Sequence, residues 1–211
     1  MTDRYNNFEQ LLNSEREGID FRRVVKKRNS GWLIVAPHGG GIEPGTSELA
    51  AAIARFDYSL YTFEGIKKSD NRILHITSTN FDDPQLLKLL NSSKGTIAIH
   101  GCSGNEPIAY VGGLEDDIRD KIIILLSENG IKSDIIFNPS LQGRDENNIC
   151  NKGMSGKGVQ IELTEGLRRA LFISLSRTGR RIKTKFFKTF VNTIRNVIKD
   201  EQLQKKANVN S

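Results

Sequence analysis

Short apolar runs separated by glycine, proline and polar clusters organise most of the chain. Trp32-Leu33-Ile34-Val35-Ala36 stops at Pro37 and reads as a buried strand. The glycine-rich bend Gly39-Gly40-Gly41 follows, then Thr46-Ser47-Glu48, a hydroxyl and an acid placed as at a helix start. Residues 58–63, 73–77, 96–100, 108–111, 135–137 and 159–163 also read as strands. Helical patterns fall between them, over 49–54, 84–90, 115–129 and 165–175. Pro84 suits a first helical turn, and Asn129-Gly130 suits a helix end. A final helix over 182–203 brings Phe186, Phe187, Phe190, Val191, Ile194, Val197 and Ile198 onto one stripe. Lys185, Lys188, Arg195 and Lys199 are left largely to its other faces. Helices alternating with short apolar strands predict an α/β fold: one domain over 1–211, with a mixed or parallel sheet and the last helix docked on it. The polar, glycine-containing stretch 143–158 has no apolar rhythm, and a loop of that length is usually functional or disordered.

Composition narrows the class. Of 211 residues, 37% are apolar and 27% charged, enough for a core without disulfides. No apolar run approaches the roughly 20 residues of a membrane span. Two cysteines, Cys102 and Cys150, make neither a disulfide framework nor a zinc-knuckle spacing. The start lacks a basic-then-apolar export pattern, so cytoplasmic synthesis without a signal peptide is expected. The net charge of +6 is unevenly spread: residues 168–206 hold 12 basic and 2 acidic side chains. A solvated helix face is the plain reading, and an anionic partner is the alternative.

The candidate chemistry gathers at strand ends. Two of the three histidines, His38 and His100, come directly after apolar strands, in Val35-Ala36-Pro37-His38 and Ile97-Ala98-Ile99-His100. Ligands of open α/β sheets collect outside the carboxyl ends of strands. Glu43 lies five residues beyond His38 across the glycine bend, and Gly101 follows His100. His, Glu and His are a donor set for a catalytic zinc with an open fourth position. Capping or packing is the plainer role for each histidine alone. In Gly158-Val159-Gln160-Ile161-Glu162-Leu163, alternation puts Gln160 and Glu162 on the face opposite the aliphatic residues. Beside a metal, Glu162 would take a proton from water; on an edge strand it would simply be solvated. His38-Gly39-Gly40-Gly41 resembles an oxyanion-hole stretch, but no G-x-S-x-G elbow and no histidine beyond residue 100 exist, which dismisses a serine triad. Cys102 shares a strand direction with His100 rather than facing it, and ranks low as a nucleophile. Phosphate-loop motifs are absent.

Ala36-Pro37-His38-Gly39-Gly40-Gly41-Ile42-Glu43-Pro44-Gly45-Thr46-Ser47-Glu48 resembles the motif of the phage and Bacillus-type poly-γ-glutamate hydrolases. So do Leu74-His75-Ile76-Thr77-Ser78, Phe81-Asp82-Asp83-Pro84, His100-Gly101 and Gly158-Val159-Gln160-Ile161-Glu162-Leu163, in order from about residue 5 to 169. The resemblance implies a compact relative of zinc carboxypeptidases: a mixed twisted sheet with helices on both faces, cutting γ-linked amides of poly-γ-glutamate. It implies Zn2+ on His38, Glu43 and His100, with Glu162 as catalytic base. The wider gap between the first His and Glu departs from carboxypeptidases. Lys152 stands where the family pattern leads one to expect Arg, and a lysine lacks the bidentate fork. A substrate with a carboxylate on every residue calls for cationic and amide donors. His75, Asn148, Asn151, Lys152 and Arg168 are the expected contacts, with Arg144 and Lys157 nearby. The expectation is therefore a monomeric zinc-dependent γ-glutamyl hydrolase with no membrane partner, acting outside the cell after lysis if phage-borne. The alternative is a non-catalytic polyanion- or nucleic-acid-binding protein using the basic C-terminal helix.

Overall fold

The computed structural model describes residues 3–209. In chain order its elements are α1 (Phe8–Leu12), β1 (Phe21–Lys26), β2 (Trp32–Gly40), α2 (Thr46–Ala54) and β3 (Ser59–Gly65). Then come α3 (Pro84–Leu90), β4 (Gly95–Cys102), β5 (Ala109–Gly113), α4 (Asp116–Glu128), β6 (Ser133–Ile135), β7 (Val159–Thr164), α5 (Glu165–Leu171) and α6 (Lys185–Val209). The strands form one seven-stranded sheet in the order β1-β3-β2-β4-β7-β5-β6. β3, β2, β4 and β7 run parallel; β1 and β5 are antiparallel to their neighbours β3 and β7. The expected mixed α/β sheet is thus observed.

Alternation along the central strands creates two cores. Ile34 and Ala36 of β2 face one side and pack with α2, α4, α5 and α6, while Leu33 and Val35 face the other, with α1 and α3. In β2, β3 and β7 every residue is buried, as a strand covered on both faces requires. β7 lies between β4 and β5, which removes the edge-strand reading of Glu162.

Several boundaries differ from the sequence pattern. Residues 73–77 are not a strand: a 3-10 turn (Asn71–Leu74) leads into an extended segment lying across the sheet. The Asn71 side chain bonds both the N–H and the carbonyl of Lys67, closing the turn that precedes this segment. Leu74 and Ile76 still alternate into the core. The short strand expected over 135–137 is β6, two residues earlier, and Phe137 is 80% exposed. α5 stops at Leu171 rather than near 175, because Phe172 turns extended and opens a hairpin closed by Ile173 N–H to the Ile182 carbonyl. The last helix consequently begins at Lys185, not 182, and Phe186 falls outside the docking stripe, while Phe187, Phe190, Val191, Ile194, Val197 and Ile198 are buried. Arg195 anchors that helix to the Ile53 carbonyl and Asp57. No described helix is long and apolar enough to cross a membrane.

Candidate metal centre

β2 and β4 pair only as far as Val35 and Ala98, and beyond that point the strands part. On its other side β2 carries an extra residue against β3 between Ala36 and Gly39. Such a bulge turns the strand and re-aims its side chains, here at His38. Gly40 takes a left-handed conformation (φ +66°), and a Cβ there would stand 2.4 Å from the Gly65 carbonyl oxygen. The loop then closes with the Glu43 N–H donating to the His38 carbonyl (2.8 Å).

His38, Glu43 and His100 converge in this opening. His38 Nδ1 lies 3.2 Å from Glu43 Oε1 and 3.2 Å from His100 Nδ1, and His100 Nδ1 lies 3.9 Å from Glu43 Oε2. Glu43 Oε2 is held by the Gly101 N–H at 2.8 Å. His38 Nε2 faces the Ile76 carbonyl at 2.8 Å, so this nitrogen carries the proton and Nδ1 presents its lone pair to the cluster. His100 is buried with no hydrogen-bond partner on Nε2. Burial, followed by the charge of His38, pushes His100 down to about 3, which keeps the imidazole neutral and able to ligate. Burial opposes charge on His38, but the Glu43 carboxylate outweighs it and lifts His38 above its ordinary value. Burial likewise opposes ionisation of Glu43, yet the His38 charge holds its carboxyl down at about 2. The arrangement attracts a cation. Around a tetrahedral ion with bonds of about 2.0–2.1 Å, ligand atoms stand about 3.3–3.4 Å apart, so the donor set fits a divalent metal.

His75 is the third imidazole here, stacked on His38 with ring centroids 4.0 Å apart. It offers Nε2 4.0 Å from Glu43 Oε1 and can join His38 and Glu43 in a donor group within 4.8 Å. The His100 contacts are shorter. His75 Nδ1 meets Asp3 Oδ1 at 2.7 Å, and Asp3 Oδ2 accepts the Thr77 N–H. Asp3, 72 residues away in sequence, has no signal of its own in the sequence.

Glu162 stands in register with His100 on the adjoining parallel strand. Its Oε1 accepts from Gln160 Nε2 at 3.0 Å; Gln160 Oε1 in turn accepts from Asn148 Nδ2 at 2.9 Å. Burial first, then the Glu43 charge, pushes the Glu162 carboxyl well above the usual range. Cys102 has its thiol pushed up to about 12 by burial and the Glu162 charge, which leaves it protonated and a poor nucleophile.

The sequence model of the poly-gamma-glutamate hydrolase family matches residues 5–193. The chain belongs to this family. It is 40% identical over 179 residues to the SPbeta prophage-derived UPF0714 protein YoqZ of Bacillus subtilis (strain 168), covering 84% of this chain. The chain spans 65% of YoqZ's own length. The solved structure of a bacteriophage poly-gamma-glutamate hydrolase superposes with a TM-score of 0.92 at 34% identity, over 95% of this chain and 98% of that one. Zinc-free apo YndL superposes at 0.86, also 34% identical, over 95% and 99%.

In this member of the family the cleft has two lobes meeting at the histidine cluster. The lobe of about 490 Å³ contains Glu162, Gln160, Asn148 and Arg144. The other, about 540 Å³, contains Arg4, Arg72 and Arg168 together with Asp3, Asp70 and Glu165. His75 lines both. Arg168 donates to the carbonyls of Leu163, Pro44 and Cys102 and forms no ion pair among the described residues. It thereby ties the Glu43 loop to the ends of β4 and β7. It approaches so closely that a Cβ on Gly101 would lie 2.8 Å from its Nε. Two expected substrate contacts are placed otherwise. Asn151 is buried and spent on backbone: its Nδ2 serves the Gly143 and Asp145 carbonyls and its Oδ1 the Gly158 N–H. Lys152 lines neither lobe. Arg4, Arg72 and the positioning amide Gln160 are the additions.

Proposed function

We propose that this chain hydrolyses the γ-glutamyl amide bonds of poly-γ-glutamate at a zinc centre held by His38, Glu43 and His100. The observation that carries the reading is the meeting of two imidazole Nδ1 atoms and one carboxylate at 3.2–3.9 Å, beside a buried Glu162. A bound zinc ion supplies Lewis-acid polarisation of the scissile carbonyl and lowers the pKa of water to about 7. Glu162 takes the proton of the attacking water on Oε2, since Gln160 occupies Oε1, and returns it to the departing nitrogen. The same oxygen carries that proton between the two steps. The Ile76 carbonyl fixes the His38 tautomer, burial keeps His100 neutral, and Glu43 is fixed by the Gly101 N–H.

Recognition of the carboxylate-bearing polymer falls to the arginine lobe. The guanidinium of Arg168 has five N–H groups; three of its nitrogens donate to carbonyls, and the side chain lines the cleft. Asn148 contributes by steadying Gln160. Family membership and this donor set favour the enzymatic reading over a non-catalytic polyanion binder.

Elemental analysis of the purified protein, paired with size profiling of digested polymer, is the test. About one zinc per chain is expected, with cleavage lost on chelation and restored by zinc. Undiminished cleavage by protein stripped of metal would end the proposal.

A further inference from the structure

The cleft makes no use of the cations between residues 177 and 188. From residue 166 to 199 the chain holds ten Lys and Arg and no Asp or Glu. Arg169 pairs with Glu165, Arg180 with Glu48 and Arg195 with Asp57, and Arg168 serves the cleft. Arg177, Arg181, Lys183, Lys185 and Lys188 are all exposed and form no ion pair among the described residues. Three of them ride on the hairpin that opens at Phe172 and closes with the Thr184 N–H on the Leu171 carbonyl. The other two stand in the first turn of α6, which has no acidic residue. Lysines there oppose the helix dipole, whose positive end adds to theirs. The patch concentrates positive potential at the expense of helix stability.

This patch adjoins the cleft. Arg177 Nη2 donates to the Ile66 and Lys67 carbonyls at 2.9 and 3.3 Å. The same segment runs on through Lys68 to Asp70 and Arg72, in the wall of the arginine lobe. We propose that the 177–188 patch is a second binding site for the polycarboxylate, engaged by a distant stretch of the same polymer whose scissile bond lies at the histidine cluster. The proposal rests on the hydrolase reading for the identity of its ligand. Polycarboxylate is favoured over nucleic acid because the patch leads into a lobe lined by Arg4, Arg72 and Arg168, beside the histidine cluster at which the proposed cleavage takes place. Linking two weak sites through one polymer raises the local concentration of substrate without touching the chemistry.

The test reverses Arg181, Lys185 and Lys188 to Glu in the full chain; all three side chains are exposed and outside the cleft. KM for long poly-γ-glutamate should rise about five-fold or more, with kcat unchanged and the kinetics of a γ-glutamyl oligomer too short to leave the cleft also unchanged. Wild-type KM for the long polymer should climb with salt more steeply than that of the variant. A KM for long polymer equal to wild type overturns the proposal. Binding to immobilised poly-γ-glutamate, measured in the Glu162→Gln background with and without the reversals, is read independently of turnover. Patch-dependent binding, together with a zinc-loaded wild-type protein that never cleaves the polymer, would sink the hydrolase reading alone; equal binding by both proteins would sink the second site alone. Duplex DNA of matched charge binding the patch more tightly than the polymer would overturn the choice of ligand.

Discussion

The two lobes that meet at Glu43 and His75 are built from different materials. The Glu162 lobe is a chain of neutral amides, Asn148 to Gln160, ending on one buried carboxyl whose proton affinity is raised. The histidines and Glu43 line it as well, and Arg144, its one Lys or Arg, is turned to Asp116 and the Gly113 carbonyl. The Arg168 lobe is rich in guanidinium groups, and its most buried one has carbonyls rather than carboxylates for partners. A pocket with a fixed, buried acid suits proton transfer; guanidinium groups offer donors to a carboxylate, here interleaved with Asp3, Glu43, Asp70 and Glu165. On the proposed function, proton transfer belongs to one lobe and substrate recognition to the other.

That division can be broken by experiment. The largest effect is expected for Glu162→Gln, which keeps the shape and the Gln160 hydrogen bond but cannot carry the proton. Its kcat should fall by about 10²–10⁴-fold with metal content unchanged; a variant with full turnover would remove Glu162 from the mechanism. Next comes Asn151→Ala, which strips partners from the Gly143 and Asp145 carbonyls and the Gly158 N–H. Denaturant unfolding should show a loss of about 2–3 kcal/mol, while activity per folded molecule stays near wild type, because the side chain supports the loop and does not touch substrate. A selective rise in KM with unchanged stability would instead restore it as a substrate contact. The smallest effect is expected for Arg168→Lys, which retains the charge and loses the fork. KM for polymer should rise roughly ten-fold, about 1.4 kcal/mol, with a lesser change in kcat. A loss of kcat as deep as that of Glu162→Gln would show that the two lobes are not separate in function.

Legibility followed the same boundary between strand and loop. His38 and His100 were readable because each follows directly on an apolar strand, and Glu162 because period-two alternation dictates which face a side chain takes; the bulge that aims His38 was not. The bend to Glu43 was readable because glycines mark it. The 143–158 stretch was readable as important but not in detail: Asn148 lines the cleft and steadies Gln160, Asn151 is consumed by backbone, and Lys152 lies outside. An amide in a loop offers donors and acceptors to whatever surrounds it, and no spacing tells which partner it meets. His75 was expected in a strand, but its alternating neighbours belong to an extended segment that follows the turn closed by Asn71.

By itself, the sequence determined the α/β class, the strand ends that carry the donors, and the charge imbalance of the C-terminal third. These depend on periodicity and composition, which are local properties. Tertiary structure decided that β2 and β4 separate after Val35 and Ala98, that Asp3 reaches His75 across 72 residues, and that Arg168 binds three carbonyls from separate segments. Those outcomes depend on which distant backbone groups are left unpaired when the sheet closes, and a buried donor takes the nearest of them.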